Sequence, residues 1–340
     1  MGPRPVAQGS GAGSLGRPAG RVVAVRMMHV ALGLVLATAA VGWTAERDPS
    51  QMYDGATLAQ WQSRYTRSMN RILSEGFAPV FSSAEQRALA GVKLDLPLRD
   101  DAFLNFYTEA RTIVLPVESL HWLDEIYVAY AWLVMNNFQL EPIEEYVAML
   151  KGKKPDAFPG GAYPPPLRAL GIPAQALDDS RVDGLSLRLF NSARAFILAH
   201  ELGHVFLGHR ESSIPNEEAA DRFAFDLMRR TQTVPMGVAL YFQSTALWFQ
   251  GGPPSHPLNA RRLRTMSATL AATAREFGRG DADDVTRIRF IGRGLEQVAD
   301  YLDDADLQRC VTDSVAKASP HVLAPRPRGA PSILNCVRRP

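Results

Sequence analysis

Residues 184–207 read GLSLRLFNSARAFILAHELGHVFL, and their reading decides the fold. Leu189, Ala193, Phe196 and Ile197 recur at the 3.6-residue period of a helix, and the same stripe runs on into His200, His204 and Leu207. One long helix beginning near Gly184 therefore turns both histidines inward. Within it, His200-Glu201-Leu202-Gly203-His204 sets two imidazoles one turn apart on one face, so both can reach a single metal ion. A solvated His-Glu patch is the plain alternative. Burying two histidines on an apolar stripe without partners is costly, however, and a metal satisfies both. Zinc suits the pair: it lowers the pKa of a bound water towards about 7, and a neighbouring carboxylate takes the proton as that water attacks a peptide carbonyl. Glu201 is placed for that role.

Two histidines are too few ligands, so a third has to come from elsewhere. The next helix, expected over 217–230, opens with Asn216-Glu217-Glu218-Ala219-Ala220-Asp221. Glu217 is the third ligand on this reading, with Glu218 in reserve. Asn216 is expected to cap the helix, and Asp221, one turn further on, can accept a hydrogen bond from the second nitrogen of a ligand histidine. His209 falls five residues past His204, about 140° round a continued helix, and is expected on the surface, outside the ligand set.

Working outward, Thr112 to Val117 (TIVLPV) reads as a short strand, and Ser119 is expected to cap an apolar helix reaching Asn137, with His121 and Trp122 in the core or at its rim. Pro116 suits an edge strand, along which an extended peptide could pair, although an ordinary core strand is an equal alternative. Helices are expected over 58–75 and 83–90 before it, and over 236–250, 259–276 and 284–302 after the histidines. Residues 152–180, dense in Pro, Gly and Ala, read as a surface excursion, and the Pro/Arg-rich tail from Pro320 reads as loosely ordered. Arg279-Gly280-Asp281 reads as a helix-initiating turn. The fold class is thus α+β, mainly helical.

The chain has 340 residues, 46% hydrophobic and 21% charged, with a formal net charge of +2. Its basic residues are scattered, which argues against nucleic acid as a partner. No Gly-x-Ser-x-Gly elbow and no Gly-x-x-x-x-Gly-Lys phosphate loop occurs, which argues against serine hydrolases and nucleotide-dependent enzymes. Cys310 and Cys336 are either a disulfide or two free thiols. Near the N-terminus, VALGLVLATAAV (Val30 to Val41) follows Arg21 and Arg26 in the layout of a signal peptide, with Ala37-Thr38-Ala39 or Ala45 at the cleavage site and Met27 or Met28 as alternative starts. The run is shorter than the roughly 20 residues of a comfortable membrane span. A periplasmic or secreted location follows, with anchoring to the inner membrane as the alternative. The expected organisation is a signal region over 1–45, a catalytic domain over 46–276, a helical extension over 277–319 and the tail over 320–340.

HELGH and NEEAADRFA, followed by His256-Pro257-Leu258-Asn259-Ala260-Arg261-Arg262-Leu263, resemble the gluzincin metallopeptidases. More narrowly, they are similar to the group containing the membrane heat-shock proteases, the CAAX prenyl proteases and the periplasmic quality-control proteases, which carry Glu-x-x-Ala-Asp and a His-Pro box ending in Arg. The resemblance covers residues 185–265. It implies a zincin-like fold with a small mixed sheet, an active-site helix bearing both histidines and a second helix delivering the glutamate. It also implies that His256 lies near the zinc, as an oxyanion stabiliser or a displaceable ligand, with Arg262 close by; a turn residue before Pro257 is the other reading of His256. The short connection 205–216 departs from that group and is closer to the repressor-cleaving proteases of the ImmA and IrrE kind, which carry Asn where Asp221 stands and lack the His-Pro box. The expected activity is a zinc endopeptidase acting on proteins or peptides, with Glu201 as general base. The alternatives are a non-catalytic zinc-binding sensor or chaperone-like module, and a membrane-anchored regulatory protease with one protein target.

Overall fold

The computed structural model describes residues 52–249, 255–334 and 336. The expected signal region, including Val30 to Val41, lies outside the described residues. Among the described residues no helix is long and apolar enough to cross a membrane.

The described residues are mainly helical with one small mixed sheet. Asp54 caps α1 (Gly55–Arg71), which runs into a π-helical turn over Ile72–Phe77, and a Ser82–Glu85 capping box starts α2 (Ser83–Leu89). Three short strands follow: β1 (Lys93–Asp95), β2 (Tyr107–Glu109) and β3 (Thr112–Val114). Their order is β1-β3-β2, with β1 parallel and β2 antiparallel to β3, and with Thr108 paired to Ile113. The strand expected from TIVLPV is therefore shorter and central, with Ile113 and Val114 buried, and β1 and β2 form the edges instead. Pro116 has left the sheet and stands at the head of α3 (Val117–Met135). Ser119 lies inside that helix rather than capping it; its hydroxyl accepts the backbone N–H of Leu104 at 3.0 Å.

α3 is apolar on nearly every side because α1 and α6 (Ser180–Leu207) cover it. His121 and Trp122 are buried. Tyr65 Oη on α1 lies 3.2 Å from His121 Nδ1 and donates to Asp124 at 3.1 Å. The segment 152–180 is pinned down more firmly than its composition suggests. It follows α4 (Glu141–Gly152), contains the one-turn α5 (Pro166–Ala169), and buries Phe158, Tyr163, Leu170 and Ile172. Asp179 caps α6, which at 28 residues is the longest helix of the described chain.

The remainder is α7 (Ile214–Arg230), α8 (Val238–Phe249), α9 (Ala260–Thr273), α10 (Ala282–Asp303) and α11 (Ala305–Lys317). Ser213, not Asn216, caps α7, with Pro215 in the first turn. Asp281 accepts the N–H groups of Asp283 and Asp284 and so starts α10. The tail is also ordered where it is described. Arg326 and Ser332 converge on the fully buried Glu145 carboxylate, and Cys310 and Cys336 form a disulfide. Buried Glu145 requires such partners, and the sequence of the tail alone does not reveal them.

Candidate active site

His200, Glu201 and His204 lie in the last two turns of α6, on its buried side. Leu207, expected on the same stripe, is 49% exposed where the helix ends. Gly203 lets α7 come close, since a Cβ there would stand 3.1 Å from Ala220 Cα and 3.3 Å from its carbonyl oxygen. This approach brings the fully buried Glu217 against both histidines. His200 Nε2 and His204 Nε2 are 3.0 Å apart. Glu217 Oε2 is 3.2 Å from His200 Nε2, and Glu217 Oε1 is 3.4 Å from His204 Nε2. His256 stands over the group: its Nδ1 is 3.0 Å from Glu217 Oε2 and 3.4 Å from His200 Nε2, and its Nε2 is 3.2 Å from Glu201 Oε1.

One ligand-type atom from each of His200, His204, Glu217 and His256 lies within 4.8 Å of the others. The donor set can be tested against zinc. With zinc–nitrogen bonds of about 2.0–2.1 Å, the edge of a tetrahedron is about 3.3 Å. His200 Nε2 and His204 Nε2 are 3.0 Å apart, and each has a different Glu217 oxygen beside it, at 3.2 and 3.4 Å, separations close to such an edge. Glu217 Oε1 is buried here without a hydrogen-bond partner, an arrangement that folded proteins rarely tolerate. Glu218, the reserve ligand, is not in the group and pairs with Arg261 at 3.1 Å near the surface.

Charge points the same way. Burial opposes ionisation of Glu201, Glu217 and Asp221, but His256 beside Glu201, His200 and His256 beside Glu217, and Arg262 beside Asp221 hold all three below the usual carboxylate range. Three carboxylates against one guanidinium leave two negative charges in a buried space. Without a cation the imidazoles carry the balance: burial alone would lower His256, yet Glu201 and Glu217 raise it to about 10. Burial and then the neighbouring His200 push His204 down to about 4. A divalent cation bound by neutral histidines supplies the same two charges.

The surroundings fix this group in place. Asn259 caps α9 and sets Arg262 in its first turn, where the guanidinium donates to both Asp221 oxygens at 2.6 and 2.8 Å and lies 3.0 Å from Glu217 Oε2. Asp221 Oδ1 in turn stands 3.0 Å from His200 Nδ1. A cavity of about 20 Å³, room for about one water, is lined by His200, Glu201, Tyr241 and His256 among others.

Two residues at the site escape a reading of the sequence. Thr108, on edge strand β2, donates from Oγ1 to Glu201 Oε2 at 2.8 Å and also lies 3.3 Å from the Glu201 carbonyl oxygen. His209 does not face away as expected, because Gly208 turns left-handed (φ 70°) and ends α6. The chain doubles back so that the His209 N–H donates to the His204 carbonyl at 3.0 Å, and His209 Nδ1 lies 3.0 Å from His204 Nδ1. His209 remains outside the ligand group but touches one of its members.

Residues 155–280 match the family model described as Peptidase U49. No curated protein and no solved structure matches the chain. The matched span contains all of α6 and α7, the His256 segment and Arg262. This similarity supports a peptidase, and with it a protein or peptide substrate.

Proposed function

We propose that the protein is a zinc-dependent endopeptidase of the gluzincin kind, with His200, His204 and Glu217 as metal ligands and Glu201 as general base. The observation that carries this reading is the convergence of His200 Nε2, His204 Nε2 and the Glu217 carboxylate at separations of 3.0–3.4 Å. When bound, zinc supplies a Lewis acid that acidifies water and polarises a carbonyl.

The chain's own residues do the rest. Glu201 takes a proton from the attacking water and returns it to the leaving amine. Thr108 holds its Oε2, so that Oε1 faces the cavity side beside His256. His256, whose Nε2 stands 3.2 Å from Glu201 Oε1 at the cavity, is a donor suited to the oxyanion that develops on the carbonyl. Arg262 and Asp221 hold Glu217 and His200 in orientation from behind.

We also place the protein in the periplasm or outside the cell, acting on exported or envelope proteins. The Cys310–Cys336 disulfide suits an oxidising compartment, and the basic-then-apolar order of residues 21–41 suits export.

The test is zinc content together with casein or peptide hydrolysis, for wild type and Glu201→Gln. Both proteins are expected to retain zinc, and hydrolysis is expected to fall by about 10²- to 10⁴-fold in the variant. A wild type that holds zinc and cleaves nothing across a broad peptide library contradicts the endopeptidase and favours the sensing module.

A further inference from the structure

We infer that His209 is a positioning residue for His204, an inference that rests on the proposed metal site. An imidazole that offers a lone pair from Nε2 while neutral must carry its proton on Nδ1. His204 Nε2 points into the ligand group, 3.0 Å from His200 Nε2 and 3.4 Å from Glu217 Oε1, so its proton belongs on Nδ1. The atom facing that nitrogen, at 3.0 Å, is His209 Nδ1. One assignment satisfies both rings: His204 Nδ1–H donates, His209 Nδ1 accepts, and the His209 proton sits on Nε2.

The backbone builds this contact rather than leaving it to a mobile side chain. Gly208 in the left-handed region reverses the chain, and the His209 N–H is tied to the carbonyl of His204 itself. The two rings meet edge to face, with centroids 5.0 Å apart and planes at 72°. His200 gets its outer partner from Asp221, a buried carboxylate, whereas His204 gets a neutral, half-buried imidazole from the turn that ends its own helix.

The test is zinc affinity of the full chain by chelator competition, for wild type, His209→Phe and His209→Asn. Phe keeps a ring against His204 and removes the acceptor; Asn replaces Nδ1 with an amide oxygen. His209→Phe is expected to bind zinc about 10-fold more weakly, near the lower end of such effects because water can reach a half-buried site. His209→Asn is expected within about threefold of wild type, with unfolding midpoints of the three metal-free proteins coinciding. Histidine ¹⁵N NMR of the zinc-loaded wild type should show the His204 proton on Nδ1. Equal affinity for wild type and Phe overturns the inference, as does equal weakening of Phe and Asn with a lowered metal-free midpoint. If the wild type binds no zinc, the metal reading fails with it.

Discussion

One turn of α6 separates two histidines whose surroundings differ. Behind His200 lies a closed lock: Asp221 3.0 Å from its Nδ1, Arg262 forked onto Asp221, and the whole buried. Around Glu201 and His204 the supports come from the periphery, from Thr108 on a three-residue edge strand and from His209 just past the helix end. The closed side fixes charge in a medium where an unpaired ion is costly. The open side makes single hydrogen bonds that water can partly replace. Substitutions on the first side should therefore damage the fold, and those on the second should damage the chemistry while sparing the fold.

The largest effect is expected from Asp221→Ala, which strips Arg262 of its bidentate partner inside the core. We expect a loss of about 3 kcal/mol in urea unfolding, the low end for a broken buried pair, because Arg262 still lies 3.0 Å from Glu217. No loss of stability there would erase the contrast between the two sides. Gly203→Ala tests the spacing that both sides share. Its Cβ would press on the Ala220 backbone, and we expect about 1–3 kcal/mol of destabilisation together with weaker zinc binding as α7 is pushed away. Thr108→Val should leave the unfolding midpoint near that of wild type and lower kcat about 10-fold with KM little changed, the worth of one hydrogen bond to a carboxylate. Thr108→Ser should restore kcat, and a Val variant as active as wild type would remove Thr108 from the account.

The closed side was the more legible in the sequence. His200 and His204 share a helix face, and Glu217 and Asp221 share the next, so a period of 3.6 residues brings each pair together before any tertiary contact is known. Arg262 and His256 entered through resemblance rather than spacing. The open side was hidden for two separate reasons. Thr108 is 93 residues from Glu201, on a strand too short to show alternation. His209 was misplaced by extending helical geometry through Gly208, the point where that geometry stops.

Composition misled in the same way elsewhere. The Pro- and Gly-rich stretch 152–180 is held by Phe158, Tyr163 and Leu170, and the tail by Glu145 on α4, which lies 181 residues from its partner Arg326. The central place of β3 depends on β1 and β2, strands that the sequence did not announce.

The most direct test of the central claim is zinc stoichiometry by elemental analysis, for wild type and Glu217→Ala purified without chelator and dialysed against zinc. Wild type should hold about one zinc per chain, and Glu217→Ala, left with the histidines alone, should lose most of it. A wild type free of zinc, or a Glu217→Ala variant that keeps the full complement, would contradict the assignment of the site.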